Sequence, residues 1–210
     1  MADDADSPAR QRHWDAAYAD KPDDGLSWYQ DAPQPSLELI ERDGPGPGAS
    51  VIDIGAGAAR LADALLAKGY GDITLLDISE AALAATRDRL GDGGGRIRYL
   101  AADITQWQPP RRWDIWHDRA VMHFLVEEAD QRAYRRAFLA GTAPGALAVI
   151  GTFAPDGPER CSGLPVRRWA AEELSGFLGP QVTLLDSRRH RHETPGGVAQ
   201  QFDFAVLRRS

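Results

Sequence analysis

The sequence predicts a doubly wound α/β fold with a mostly parallel sheet. Three observations carry this. Short apolar strands alternate with helical stretches from Val51 to Phe153. A glycine turn, Gly55-Ala56-Gly57, separates the first strand from its helix. Asp77 ends the second strand and Asp103 follows the third. Alternating strands and helices build right-handed βαβ units, with helices on both faces of a parallel sheet.

The elements follow in order. Residues 1–9 are polar and acidic and are expected to be disordered. A short helix is expected from Ala9 to Ala19, then a Pro/Asp/Gly break at Lys21 to Gly25. Leu37, Ile40 and Glu41 keep helical spacing after Ser36, and Asp43-Gly44-Pro45-Gly46-Pro47-Gly48 ends that helix. Residues 10–43 thus form an N-terminal helical lid, and 50–210 a core, within one domain spanning 1–210. Within the core, strands are expected at Val51–Ile54, Ile73–Leu76, Ile97–Ala101, Asp114–Trp116 and Ala146–Phe153. Helices are expected at Arg60–Lys68, Glu80–Leu90 (capped by Ser79, stopped by Gly91) and Glu127–Thr142. After a helix at Ala170–Leu178, strands Val182–Ser187 and Val198–Leu207 flank Thr194-Pro195-Gly196-Gly197 as a terminal antiparallel hairpin.

Composition narrows the function. The chain has 210 residues and a formal net charge of -7. An acidic balance argues against broad binding to nucleic acid or membrane surfaces, although the end of the chain is locally basic. A single cysteine, Cys161, excludes an intrachain disulfide. No apolar run approaches the roughly 20 residues of a membrane span, and the N-terminus does not read as a targeting peptide. The expectation is a cytoplasmic protein. His117, His123, His190 and His192 lack metal-ligand spacing, so no metal site is expected.

The glycine turn marks a close approach of backbone to ligand, beside a helix N-terminus with free N–H groups. The dinucleotide fingerprint fails at its third position, which is Arg60. Asp77 is placed to accept hydrogen bonds from two ribose hydroxyls, and Asp103 with Ile104 to hold an adenine. Each aspartate alone reads equally well as a turn or cap residue. Together, at successive strand ends, they outline a ligand crevice.

The runs Val51-Ile52-Asp53-Ile54-Gly55-Ala56-Gly57, Leu76-Asp77-Ile78-Ser79 and Ala102-Asp103-Ile104 resemble the class I (seven-strand) methyltransferases that use S-adenosylmethionine. The resemblance runs from about Ser50 to the C-terminus. It implies a Rossmann-like, seven-stranded, mostly parallel sheet whose last strand is antiparallel. It places Gly55 and Gly57 against the methionine part of the cofactor, Asp77 on the ribose, and Asp103 and Ile104 on the adenine. Asp53, Ala56, Arg60, Ile78 and His117 are assigned to the same donor site. The segments His13-Trp14-Asp15-Ala16-Ala17-Tyr18 and Ser27-Trp28-Tyr29-Gln30 look like the lid of methyltransferase-like protein-lysine enzymes and of thiopurine and thiol methyltransferases. Trp14, Tyr18 and Trp28 would then close over the sulfonium, which aromatic faces attract. The plainer reading is that they pack the lid on the core.

The acceptor side is less marked. Trp116-His117-Asp118-Arg119 to Leu125 follows the fourth strand, where this family places residues facing the methyl group, but the usual motif of other branches is replaced. Asp118 is a candidate to orient the substrate or bind the cofactor's amino group. His123 is a candidate general base or a packed helix residue. Arg119 pairs with Asp118 or binds an anion, the ion pair being favoured. Tyr29 and Cys161 are candidate substrate contacts. Cys161 lies in the polar loop from Thr152 to Val166, where an unreactive thiol is the plainer reading.

The expected activity is methyl transfer from S-adenosylmethionine, giving S-adenosylhomocysteine, to an N, S or O nucleophile of a small molecule. A protein-lysine methyltransferase and a catalytically silent binding module are the alternatives. A nicotinamide-dependent reductase fits poorly with Arg60 and with the lack of a Tyr-x-x-x-Lys pair. The sequence names neither the acceptor nor the oligomeric state.

Overall fold

The computed structural model describes residues 7–19 and 25–210. In chain order the elements are α1 (Ser7–Ala19), α2 (Ser36–Asp43), β1 (Ser50–Ile54), α3 (Leu61–Ala67), β2 (Asp72–Asp77), α4 (Glu80–Leu90) and β3 (Ile97–Ala101). Next come β4 (Trp113–Arg119), α5 (Glu128–Gly141), β5 (Thr142–Phe153), a small hairpin of β6 (Arg160–Cys161) and β7 (Leu164–Pro165), α6 (Ala171–Leu178), β8 (Val182–Glu193) and β9 (Ala199–Arg209). The seven-stranded sheet has the order β3-β2-β1-β4-β5-β9-β8. Strands β1 to β5 pair in parallel. Strand β9 runs against both of its neighbours, so β8 points the same way as the parallel set.

Strand alternation gives the sheet two apolar faces. Val51, Ile73, Leu75, Ile115 and Val149 pack with Leu39 and Ile40 of α2 and Leu61 and Leu65 of α3. Ile52, Ile54, Leu76, Trp116 and Ile150 pack on the other side with Tyr134 and Phe138 of α5 and Leu174 and Leu178 of α6. Burial on both faces explains why these strands read as continuous apolar runs. The strand order reverses at β1, between β2 and β4, and the crevice at the carboxyl ends there receives the ligand in such folds.

Most expected elements match within a residue or two, and Ser79 caps α4 by accepting the Ala82 N–H at 3.2 Å. Three differ. Helix α1 begins at Ser7, so Ser7 to Ala9 are helical, while residues 1–6 and 20–24, with most of the expected break at Lys21 to Gly25, lie outside the described residues. Gly91–Arg96 coils as a 3-10 helix. Strand β4 extends through His117, Asp118 and Arg119, whose polar side chains hide backbone pairing to Asp53, Ile54 and Gly151.

One buried polar chain ties the second face together. Trp116 Nε1 donates to the Tyr134 hydroxyl at 3.1 Å, and that hydroxyl donates to Asp118 Oδ2 at 2.7 Å. The substitution Tyr134→Phe would strand an indole N–H and weaken the support of a buried carboxylate. It is expected to lower unfolding free energy by about 2 kcal/mol, read by urea denaturation. A change below about 0.5 kcal/mol, the range of neutral surface substitutions, would show that the chain carries no net stability.

Candidate active site at the strand ends

The glycine turn is built by its backbone. Gly55 and Gly57 have φ of +65° and +52°, a region costly for other residues. Both Gly55 N and Ala56 N donate to the Leu76 carbonyl, at 2.7 and 3.1 Å. Gly57 N donates to Asp77 Oδ2 at 2.8 Å, and Thr86 of α4 donates to the Gly57 carbonyl at 2.9 Å. A Cβ on Gly55 would stand 2.0 Å from Val121 Cγ2, and one on Gly57 would stand 2.1 Å from the Tyr18 hydroxyl. The turn is thus pressed between the lid and the segment after β4.

Beside it opens a cavity of about 400 Å³. Its wall includes Gly55, Asp77, Ile78, Asp103 and Ile104 from the strand ends, Trp14, Tyr18 and Trp28 from the lid, and Arg119 and Cys161. These expected site residues are therefore brought together. Asp53, Ala56, Arg60, His117 and Tyr29 lie apart from that wall, around an adjoining cavity of about 50 Å³ that Tyr18, Trp28, Gly55 and Arg119 also line.

Asp77 sits at the floor. One oxygen accepts from Gly57 N and the other accepts the Ser79 N–H at 2.8 Å. Burial nevertheless pushes its pKa up to about 6, with Asp53 and Asp15 adding repulsion and the two backbone donors opposing. Because the folded value is raised, the protonated form is favoured, and stability falls as pH rises from the ordinary carboxylate value toward 6. A hydroxyl donor on the ligand favours the ionised form. Affinity for S-adenosylhomocysteine is therefore expected to weaken up to about tenfold per unit as pH drops below about 6, and to stay level above 7. Calorimetry across pH 5 to 8 checks this; an affinity flat through that range would show that Asp77 does not receive the ligand.

Asp103 fits an edge-binding role. Its Oδ1 accepts from Thr105 N and Thr105 Oγ1, at 2.9 and 2.7 Å, while its buried Oδ2 accepts no hydrogen bond among the described residues. The nearest charge to Oδ2 is Arg10 Nη1 at 3.5 Å. Arg10, which sequence reasoning missed, also binds Asp130 Oδ2 at 2.9 Å and so fastens α1 beside the end of β3. Ser79 Oγ donating to Asp15 at 2.6 Å is a second fastening. These partners are far apart in the chain and carry no local signal.

The lid aromatics form an edge-to-face cluster. Trp14 meets Phe124 at 4.9 Å and Trp28 at 5.8 Å between ring centroids, and Tyr18 meets Trp28 at 5.8 Å. The contacts pack the lid, and the same rings wall the cavity, so the two readings of these residues are compatible.

After β4 the expected chemistry separates. Successive strand residues face opposite sides. His117 turns toward α2, with Nδ1 at 2.6 Å from Asp53 Oδ1 and Nε2 at 2.8 Å from Ser36 Oγ. Asp118 turns toward α5 and accepts from Val121 N, Met122 N and Tyr134. Asp118 is fully buried at 0% exposure, and no ion pair to Arg119 forms among the described residues. Its role is to hold the tight turn in which Ala120 takes a φ of +74°.

His123 is likewise 0% exposed, its ring against Phe124 and Phe153 at 4.5 and 4.6 Å. Its Nδ1 accepts the Phe153 N–H at 3.2 Å. Burial, with the Arg119 charge adding to it, pulls its pKa down to about 3. Of the two readings of His123, general base or packed residue, its burial supports the packed, neutral ring. A His123→Asn variant should lose stability yet leave the pH profile of methyl transfer unshifted; a lost limb in that profile would restore the base.

Cys161 is 7% exposed and sits in the β6–β7 hairpin over the cavity. Burial raises its thiol pKa, so it is a thiol at neutral pH.

Residues 51–145 match the family model of a methyltransferase domain. That stretch is just under half of the chain, and the seven-stranded sheet with its antiparallel β9 agrees with the fold of class I methyltransferases. The N-terminal Xaa-Pro-Lys N-methyltransferase 1 of Ailuropoda melanoleuca is 29% identical over 119 residues, 54% of this chain. The chain spans about half the length of that relative, 52%. A structure described for the conversion of a disulfide bond into a thioacetal group during echinomycin biosynthesis superposes with a TM-score of 0.73 at 23% identity, over 96% of this chain and 92% of its own. The Burkholderia thailandensis 1,6-didemethyltoxoflavin-N1-methyltransferase, bound to its substrate and S-adenosylhomocysteine, superposes at 0.69 with 20% identity, over 98% and 86%. At these identities the two structures show the fold.

The cofactor of such a methyltransferase is S-adenosylmethionine. The residues present fit it: a glycine turn without room for Cβ atoms, the two strand-end carboxylates, of which Asp103 Oδ2 accepts no hydrogen bond among the described residues, and aromatic walls suited to a sulfonium.

Proposed function

We propose that this chain transfers a methyl group from S-adenosylmethionine to an N, S or O nucleophile of a small molecule. The observation that carries the reading is the lining of the cavity. Trp14 and Trp28 of the lid, Phe124 after β4, and Cys161, Leu164 and Pro165 of the hairpin all line it. A cavity of about 400 Å³ with a largely apolar lining suits a small acceptor.

Bound there, S-adenosylmethionine supplies a methyl group on a positively charged sulfur. Asp77 would accept from the ribose, Asp103 and Ile104 would hold the adenine, and Gly55 would admit the methionine part. Trp14, Tyr18 and Trp28 would exclude water and favour the sulfonium. Neither Asp118 nor His123 reaches the cavity wall, so catalysis rests on orientation and desolvation, with the acceptor's own ionisation setting the pH dependence. A protein amine is the second reading, favoured by the acidic Glu127 and Asp130 at the wall and by the activity that the Ailuropoda melanoleuca relative's name describes.

Calorimetry should show S-adenosylhomocysteine binding with a Kd in the micromolar range, about 8 kcal/mol, and no binding of NAD. The Asp77→Ala variant should weaken it at least about tenfold. In a tritiated-methyl screen over thiols, amines, phenols and cell lysate, label is expected in the small-molecule fraction. Label confined to protein would defeat the small-molecule reading, and binding without any label would favour the silent module.

A further inference from the structure

Arg119 ends β4 and lines both cavities. Its Nη1 donates to the Trp28 carbonyl at 2.8 Å. Its Nε and Nη2 are shut off from bulk solvent and have no hydrogen-bond partner among the described residues. Those two nitrogens form the side-on edge of the guanidinium, the fork that matches a planar carboxylate with two parallel hydrogen bonds. The unused donors are therefore a matched pair.

The environment is poor for an unpaired cation. The guanidinium carbon lies 5.1 Å from the centre of the Phe202 ring. Burial pulls the Arg119 pKa down to about 10, with Cys161 and Asp53 opposing only through space. A buried charge without hydrogen-bonded counter-charge is costly, and an unsatisfied group in a native fold calls for an explanation.

The position of Arg119 indicates which ligand it serves. The nucleoside end, Asp77 and Asp103, belongs to the β1–β3 side of β4. Apart from Asp53, the groups that share the field of Arg119 lie on the other side. They are Cys161 on β6, His123 behind the β4 turn, and His190 and His192 on β8, with Phe202 on β9 beneath it. This is the acceptor half of the sheet.

We propose that Arg119 is the anion receptor of the acceptor site, so that the methyl acceptor carries a carboxylate on an apolar body. The inference rests on the methyltransferase reading above. The fork fixes the carboxylate, Leu164, Pro165 and Phe124 cover the apolar part, and the nucleophile is held toward the donor at Gly55. The same carboxylate chemistry exists on the methionine part of the donor, and the experiment separates the two.

Protein saturated with S-adenosylhomocysteine is titrated in a calorimeter with benzoate and with benzamide, its neutral counterpart. Benzoate is expected to bind at least about tenfold tighter, the scale of a charge-assisted pair of hydrogen bonds. Arg119→Gln, which keeps a donor for the Trp28 carbonyl and removes the charge, should abolish that preference. Arg119→Lys, which keeps the charge and loses the fork, should reduce it; this variant decides the matter if the glutamine variant does not fold. Equal binding of acid and amide to the native protein overturns the proposal, as does a preference that is undiminished in the deciding variant. Weakened S-adenosylhomocysteine binding with unchanged binding of 5′-methylthioadenosine, which lacks the carboxylate, assigns Arg119 to the donor and also overturns it. Native protein that binds no S-adenosylhomocysteine would instead fail the methyltransferase reading.

Discussion

Asp77 accepts the Gly57 N–H at 2.8 Å through one oxygen and the Ser79 N–H at 2.8 Å through the other, joining the β1–α3 turn to the start of α4. The rest of the donor site depends on this bridge. It holds Gly57 in a left-handed conformation under Tyr18. It also starts α4, whose Thr86 returns to the Gly57 carbonyl. A carboxylate kept ionised by two backbone donors in a buried place is under-satisfied, and it gains when a ligand brings further hydroxyl donors. The structural brace and the proposed ligand contact are the same group.

A second constraint is the two-residue period of β4. His117 and Asp118 adjoin in sequence, yet one secures α2 through Ser36 and the other secures α5 through Tyr134. Both are used up in positioning. The strained turn at Ala120, held by Asp118, then presses Val121 against Gly55. Arg119 is left as the polar group of β4 that lines the larger cavity, while His117 lines only the smaller one. A site of this kind relies on placement and dry walls, which suits a displacement that requires little proton transfer.

The grouping of the proposed donor residues is legible because its signals are local. Gly55, Gly57, Asp77 and Asp103 fall at the ends of successive apolar runs, and parallel strands bring those ends together without further information. The sheet order and the antiparallel β9 followed from the family resemblance and agree with the structure. The acceptor half was less legible for two reasons. The polar tail of β4 masks a strand, so its alternation does not show in the sequence and Asp118 reads as the partner of Arg119. The lid fastenings, Arg10 to Asp130 and Asp15 to Ser79, join residues that no motif links. Burial of His123 comes from Phe153 and Phe202, which arrive from distant strands.

The central claim is that the lid and the strand ends form one donor site. Hydrogen–deuterium exchange with and without S-adenosylhomocysteine tests it most directly. The account predicts added protection across residues 10–18, 55–57, 77–79 and 103–105, with β8 and β9 unchanged. Protection confined to other segments, or the lid exchanging equally with and without the ligand, would contradict it.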